Sequence, residues 1–127
     1  MSLDNIRLSQ QERDQLVTFK RYSGIKQWNV LCRWALGLSL ANPDPAPLLD
    51  LPSDSNVELS WRTFAGQHPD LYRAMMKQRC LDDGLDLEPA TVERAFRSHL
   101  YRGIGYLAGE RDRRRIDELI ARALQVS

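Results

Sequence analysis

Residues 8–41 read LSQQERDQLVTFKRYSGIKQWNVLCRWALGLSLA, a stretch that carries the start and stop signals of two consecutive helices. Ser9 opens a capping box, because its hydroxyl can accept a hydrogen bond from the Glu12 amide while the Glu12 carboxylate accepts one from the Ser9 amide. Gly24 supplies the left-handed residue that commonly ends a helix. A first helix is therefore predicted between these two signals. Its inner face consists of Leu16, Val17 and Phe19.

The second predicted helix, from about Lys26 to Ala41, is apolar around most of its circumference. A narrow polar stripe of Lys26, Asn29 and Arg33 interrupts the pattern, and Gly37 continues it. Such a helix must be covered on most sides, and monomers rarely leave a large apolar patch bare. We therefore expect a homo-oligomer, with the polar stripe facing solvent or a partner.

Short extended segments are predicted on either side of this helical pair. In DNIRL, Ile6 and Leu8 alternate with polar residues, a pattern typical of a strand with one apolar face. Residues 42–56 contain four of the six prolines and three aspartates, which predicts an extended connector over the surface. Apolar and polar residues then alternate again, which indicates a second short strand or extended edge. The apolar members are Val57, Leu59 and Trp61.

The remaining residues are predicted to be helical. One helix begins at Pro69 and stops at an Asp-Asp-Gly turn that ends with Gly84, and another begins at Pro89. The first of these helices is marked by Leu71, Ala74, Met75, Gln78 and Leu81. The second turns Val92, Ala95, Phe96, His99 and Leu100 inward.

The C-terminal end combines glycines with a last helical pattern. The stretch RGIGYLAG, residues 102–109, is predicted to bend where Gly103 and Gly105 permit close packing. A final helix is predicted near Asp112 to Leu124. Its buried residues are Ile116, Leu119, Ile120 and Ala123.

These patterns predict a mainly α fold, a compact helical domain with a short N-terminal strand and a ribbon-helix-helix-like N-terminal half. A chain of 127 residues that is 43% hydrophobic can bury one modest core. We expect a single domain over residues 1–127. Its parts are the strand-helix-helix unit at 1–41, the connector at 42–56 and the helical remainder at 57–127.

The net charge of +1 conceals an uneven distribution. Residues 1–41 carry six basic and three acidic side chains, whereas residues 42–60 carry four acidic and no basic ones. A basic region of this kind can bind a polyanion although the whole chain is nearly neutral. The sequence contains neither a membrane-spanning run nor a signal-peptide pattern at its start. We therefore expect a cytoplasmic protein with no membrane partner.

Few residues point to catalysis or metal binding. Cys32 and Cys80 lie in apolar segments without CxxC or Cys/His spacing, which predicts buried free thiols. His68 is expected at the surface or as a cap, and His99 half-buried. GxSxG, HExxH and P-loop patterns are absent from the sequence. We expect no cofactor, no metal and no catalytic residue, although separation in sequence does not exclude dispersed catalytic residues.

Five basic residues of the N-terminal half are the candidate DNA contacts. The Gly24 turn is expected to present free backbone amides at the second helix's N-terminus, with Lys26 beside them, and these amides can bind a phosphate. Tyr22 and Trp28 could lend aromatic edges to the same contact. The run ERDRRR, residues 110–115, is interpreted as a solvated face because two acids interrupt it. The five candidates are Arg13, Lys20, Arg21, Lys26 and Arg33.

Two resemblances agree with this interpretation. The order strand, capped helix, glycine turn and second helix resembles ribbon-helix-helix DNA-binding dimers. Nearly the whole chain also resembles the DNA sulfur modification protein family DndE. The segments that carry this resemblance are IRLSQQERDQLVTFKRYSGIKQWNVLCRWALGLSLA, SNVELSWRTFAG, KQRCLDDGL and HLYRGIGYLAG.

The resemblance to DndE implies a small, helical, oligomeric DNA-binding component of bacterial phosphorothioation machinery, which replaces a non-bridging phosphate oxygen with sulfur. It implies that a cysteine desulfurase and an iron–sulfur protein of the same system perform the sulfur chemistry. It also implies a homotetramer that prefers nicked double-stranded DNA and binds it through surface lysines. This chain has three lysines, so at other positions the family's basic sites carry over by charge to arginine.

Two alternatives remain open at the level of sequence. A nuclease of the same system would need a metal or nucleophile constellation that the sequence does not display. A ribbon-helix-helix repressor would need base-reading side chains on the N-terminal strand, for which Asn5, Arg7 and Ser9 are available.

Overall fold

The computed structural model describes residues 5–109 and 121, and these form a mainly helical fold with one small sheet. The predicted fold class is therefore confirmed. No helix within the described residues is long and apolar enough to cross a membrane. In chain order the elements are β1 (Asn5–Arg7), α1 (Gln10–Ser23), α2 (Trp28–Ala41), β2 (Glu58–Ser60), α3 (Trp61–Ala65), α4 (Pro69–Asp82) and α5 (Pro89–Ala108).

The predicted N-terminal strand is confirmed, and it pairs with a second strand of the same chain. β1 and β2 are antiparallel, with Ile6 opposite Leu59. Both side chains are buried, since their apolar faces lie on the core. Trp61 was predicted to extend the second strand but instead begins α3. The reason is Ser60, whose hydroxyl accepts a hydrogen bond from the Thr63 amide and so caps a helix at that point.

The first helix is confirmed in detail, whereas the second begins later than predicted. The Ser9–Glu12 capping box is present, and Gly24 ends α1 with a φ of 77°. α2 begins at Trp28, two residues after the predicted start at Lys26. Gln27 has an extended backbone with φ −88° and ψ 124°, so Lys26 lies in the turn that precedes the helix.

α5 runs as one helix through the glycine-rich stretch, so the predicted bend at residues 102–109 is wrong. Gly103 does permit close packing, because a Cβ at this position would overlap the backbone of Ala35 on α2. Gly105 does not, since a Cβ there would meet open space. The two glycines therefore have different roles: only Gly103 lets α5 approach α2 closely.

α4 has apolar residues on two faces. Met76 and Cys80 are buried against the core, and Tyr72 is partly buried on the same side. The residues that predicted this helix all lie on its exposed face, and Leu71 and Leu81 are each 54% exposed. We call this face the outer stripe, defined as Leu71, Ala74, Met75, Gln78 and Leu81.

The helix predicted from Pro89 turns its apolar residues inward as expected. Val92, Phe96 and Leu100 are buried, and Phe96 packs edge-on against Trp61 and Phe64 at centroid distances of 5.3 and 5.2 Å. The final helix predicted near Asp112 to Leu124 and the run at residues 110–115 lie outside the described residues, apart from Ala121, which is helical.

Candidate nucleic-acid interface

The connection between α1 and α2 concentrates exposed positive charge. Lys20 and Arg21 lie in the last turn of α1, and Lys26 follows three residues after its C-terminus. Arg21 and Lys26 are exposed, and within residues 5–109 neither forms an ion pair. We call Lys20, Arg21 and Lys26 the turn cations. Their charge is available to an external anion because no carboxylate of the described chain neutralises it.

The turn cations lie beside a groove, because Trp28 contacts Lys20 and also lines that groove. The Lys20 ammonium lies 4.7 Å from the centre of the Trp28 ring, which is cation–π geometry. Trp28 and Arg13 line a groove of about 320 Å³ beside β2. The Arg13 Nε donates to Asn56 Oδ1 at 3.0 Å, and its Nη1 lies 3.4 Å from Asp14. Arg13 therefore adds charge to the same region, although Asp14 offsets part of it.

The predicted phosphate seat at Gly24 needs correction. The Gly24 amide donates to Lys20 O, and the Ile25 amide donates to Ser23 Oγ, so these two amides are already used. The available amides begin at Trp28, because no side chain caps α2 and its first turn contains no acidic residue. The positive end of the helix dipole thus lies beside Lys26, but later in the chain than predicted.

Arg33 is separated from the other four candidates. It lies on a part of α2 that lines a second groove, together with Trp34 and Tyr72. Its Nη1 atom is 2.8 Å from the position that a Cβ on Gly66 would occupy. The structure therefore brings together Arg13 and the turn cations, while Arg33 contributes to a neighbouring surface.

Three other arginines bind the protein itself, a role that the sequence did not reveal. Arg79 donates to Leu40 O at 2.9 Å and Asn42 O at 2.6 Å, and Arg102 donates to Ser39 O at 2.8 Å. These carbonyls belong to the C-terminal end of α2, which has no basic residue of its own in the last turn. The two guanidinium groups therefore cap that end of the helix from other helices.

Arg97 forms the most buried ion pair of the described residues. Its Nη2 donates to Glu12 Oε1 at 2.9 Å, and the Glu12 side chain is 0% exposed. The same carboxylate oxygen accepts from the Ser9 amide and hydroxyl. Arg97 also donates to Arg7 O at 2.7 Å, so it ties α5 to β1 and α1. We call Arg79, Arg97 and Arg102 the anchored arginines.

The two thiols have raised pKa values, and the buried histidine has a lowered one. The cysteines are free and buried, as predicted. Burial raises the pKa of Cys32 to about 12, with the Glu12 charge adding to the effect, and burial also raises the pKa of Cys80. His99 is more buried than predicted; burial and then the charges of Arg79 and Arg102 lower its pKa to about 4. Both thiols are therefore protonated and inert near neutral pH.

The described part of the chain offers few of the side chains that a metal-dependent nuclease or a ribbon-helix-helix repressor would use. No group of three or more His, Cys, Asp or Glu residues there is arranged to hold a metal ion. Arg7 pairs with Glu58 at 2.7 Å, and Ser9 is 3% exposed. Of the proposed base-reading residues, Asn5 alone is exposed and outside such an interaction.

Comparisons with known proteins agree with this fold. The family described as DNA sulphur modification protein DndE matches residues 5–115. The crystal structure of DndE from Escherichia coli B7A, involved in DNA phosphorothioation modification, is 25% identical with a TM-score of 0.70, covering 84% of this chain and 98% of that chain. A glycine-to-lysine mutant of DndE involved in DNA phosphorothioation is 24% identical with a TM-score of 0.64, covering 82% and 95%.

No curated protein sequence matches the chain significantly. The family match nevertheless spans most of the chain, and the solved structure reproduces the helical fold over nearly its own full length. This chain therefore belongs to the DndE family of DNA sulfur modification proteins.

Proposed function

We propose that the protein is a non-catalytic component of a DNA phosphorothioation complex and binds the backbone of double-stranded DNA, preferring nicked duplex. The observation that carries the proposal is the set of turn cations, two of them exposed and Lys20 partly so, beside an α2 N-terminus free of acidic residues. Lysine and arginine side chains and helix N-termini are common ligands of DNA phosphates. The proposed contacts are Arg13, Lys20, Arg21, Lys26 and Arg33.

The proposal assigns sulfur transfer to other DNA sulfur modification proteins in the cytoplasm. Family membership supports this division of roles, and so do the two thiols, which are buried and have raised pKa values. A sulfur carrier needs an accessible thiolate, because the thiolate is the nucleophile. Cys32 and Cys80 do not meet that requirement.

A homotetramer is part of the proposal, and the outer stripe of α4 is its contact surface. Leu71 and Leu81 are each 54% exposed and Met75 is 40% exposed, on a helix whose opposite face already packs on the core. Such a second apolar face is typical of an interaction site. Light scattering should give a mass several times 14.7 kDa, and Leu81→Glu should lower it.

Binding titrations with nicked, intact and single-stranded DNA of one sequence test the function. We expect the nicked duplex to bind most tightly, with log affinity falling linearly with log salt by about 0.9 per neutralised phosphate. A variant with Lys20→Ala, Arg21→Ala and Lys26→Ala should weaken binding about equally on unrelated sequences and flatten the salt slope. Lys77→Ala removes an exposed charge from α4 and is the matched control.

Four outcomes would contradict the proposal. A turn-cation variant that keeps the full salt slope would move the interface, and loss of binding in Arg114→Ala with Arg115→Ala would place it in the C-terminal segment. Protection of a single operator sequence would support a repressor. Magnesium-dependent nicking by the purified protein that is lost on mutation of an acidic residue would support a nuclease.

A further inference from the structure

The groove that contains Arg33 has the size and chemistry of a small-ligand site. It has a volume of about 520 Å³ and lies between α2 and Tyr72 of α4. Ligand pockets commonly enclose about 300–1,000 Å³ and combine apolar walls with a few polar groups. Here the walls are apolar or aromatic and Arg33 is the one charged lining residue. The lining also includes Val30, Trp34, Gly37 and Leu38.

The polar groups of this groove have no acceptor among residues 5–109. Arg33 forms neither an ion pair nor a hydrogen bond there, and the same holds for the Trp34 indole N–H and the Tyr72 hydroxyl. The contrast is Trp61, whose indole N–H donates to Pro69 O at 3.2 Å while Arg73 lies 5.5 Å from its ring centre. The Trp61 and Arg73 side chains therefore have partners within the protein, whereas the Arg33 and Trp34 side chains have no hydrogen-bond acceptor among residues 5–109.

The position of Arg33 depends on a glycine. Gly66 has φ 61° and ψ −121°, a conformation that residues with a side chain rarely adopt. A Cβ at this position would lie 2.8 Å from Arg33 Nη1, so the missing side chain makes room for the guanidinium. This arrangement keeps a partly buried cation at the edge of the groove without a protein partner.

We propose that this groove binds one unpaired nucleotide of a DNA strand, with the Arg33 guanidinium on its phosphate and Trp34 and Tyr72 against its base. A guanidinium matches phosphate geometry with paired donors, and aromatic side chains stack on bases without regard to sequence. The proposal rests on the proposed function for the source of the nucleotide. Val30 and Arg33 follow Trp28 by two and five residues, so these groove residues lie about 3 and 7.5 Å along α2 from the helix N-terminus beside the turn cations.

The test uses deoxyadenosine 5′-monophosphate and deoxyadenosine as probes of the full-length protein, with the indole N–H signal of Trp34 followed by NMR. We expect both probes to shift this signal and the monophosphate to bind about tenfold more tightly. Arg33→Ala should remove that difference, Arg33→Lys should restore part of it, and Lys77→Ala should leave it unchanged. Equal affinities of the two probes for the unmodified protein would overturn the proposal.

A second arm identifies the source of the nucleotide. A duplex with one unpaired adenosine should bind more tightly than the fully paired duplex, and Arg33→Ala should abolish this increment, so that its affinities for the two duplexes become equal. The turn-cation variant should weaken binding to both duplexes and keep the increment. No increment, with free monophosphate still bound, would mean a free-nucleotide site and refute the DNA assignment. A Trp34 signal that moves on dilution and not with nucleotide would identify an interface between copies and refute it also. Fully paired binding depends on the turn cations and reports separately on the proposed function.

Discussion

Basic residues have opposite roles in two regions of the molecule, the side that packs against the connector at residues 42–56 and the turn between α1 and α2. On the connector side, Arg79, Arg97 and Arg102 each donate to two or more protein oxygens. At the turn, Arg21 and Lys26 are exposed and form no ion pair within residues 5–109. Counting basic residues therefore does not locate an interface. What distinguishes the two regions is whether the protein supplies the acceptors.

The proline-rich connector explains why the anchored arginines are needed. Residues 42–57 form neither helix nor strand, so few of their carbonyls are paired by regular backbone ladders. Arginine presents five donors in a planar fork and can reach several such carbonyls at once. Arg79 and Arg102 both donate to Asp44 O, at 2.9 and 2.8 Å. The guanidinium groups thereby hold an extended segment against the helical core.

The first prediction concerns Arg97, whose removal leaves the Glu12 charge buried without its partner. Arg97→Met should lower the free energy of unfolding by about 3–5 kcal/mol, the usual cost of breaking a buried ion pair from one side. Urea denaturation measures this change. Arg94→Met is the matched control on the same helix, because its partner Asp50 is 88% exposed and the loss should stay below about 1 kcal/mol. Equal losses of unfolding free energy in the two variants would show that burial does not make the Arg97–Glu12 pair more stabilising than the Arg94–Asp50 pair.

The second prediction uses two glycines of α5 that differ only in their surroundings. Gly103→Ala should lower the free energy of unfolding by about 1–3 kcal/mol or more, because the added methyl group overlaps the Ala35 backbone. Gly105→Ala should raise it by about 0.5–1 kcal/mol, since it meets no atom and reduces the freedom of the unfolded chain. Thermal unfolding of the pair checks both signs. Destabilisation by both substitutions would instead mean that both glycines serve close packing, as the sequence pattern predicts.

Local signals in the sequence predicted the elements well where the deciding residues are neighbours. The Ser9–Glu12 capping box and the Gly24 stop operate within one helical turn, and both are present. Ser60 and Thr63 provide an equally local cap for α3, but the alternation of Val57, Leu59 and Trp61 concealed it. At the candidate site, the charge and place of the turn cations could be predicted because they are close to Gly24 in the chain.

Contacts between distant residues could not be predicted in the same way. Arg97 and the Arg7 carbonyl are 90 positions apart, and a carbonyl acceptor leaves no signature in the residue type. The pattern of the outer stripe likewise predicts a helix without saying which face meets the core, since an apolar face can cover a core or a partner. The direction of the Arg33 side chain could not be predicted either, because it depends on the conformation of Gly66, which is distant in the chain.

The third prediction concerns His99, which lies beside two of the anchored arginines, Arg79 and Arg102. Its pKa is lowered to about 4 in the folded protein, against an ordinary value of 6.5, so between these values the unfolded chain binds more protons. The contribution of His99 to the free energy of unfolding should therefore be fully present above pH 6.5. As the pH falls toward 4, the free energy of unfolding should decrease by at most about 1.4 kcal/mol per pH unit. His99→Gln should flatten the difference over this range. Parallel curves for the two proteins would show that His99 is not the responsible group.

The fourth prediction has the smallest expected effect and concerns the contribution of the turn cations to stability. Replacing Lys20, Arg21 and Lys26 together with alanine should change the free energy of unfolding by no more than about 1 kcal/mol, because substitutions at exposed positions usually act within about 0.5 kcal/mol. The triple variant removes the cation–π interaction of Lys20 with the Trp28 ring, which at an exposed site stabilises the fold by about 0.5–1 kcal/mol. Alanine also favours helix at the two α1 positions and offsets part of this effect.

Urea denaturation of the triple variant, measured with DNA binding of the same sample, gives both quantities. A destabilisation of several kcal/mol would mean that the turn cations hold the fold as the anchored arginines do, and weaker DNA binding by this variant could then no longer be attributed to the removal of phosphate ligands.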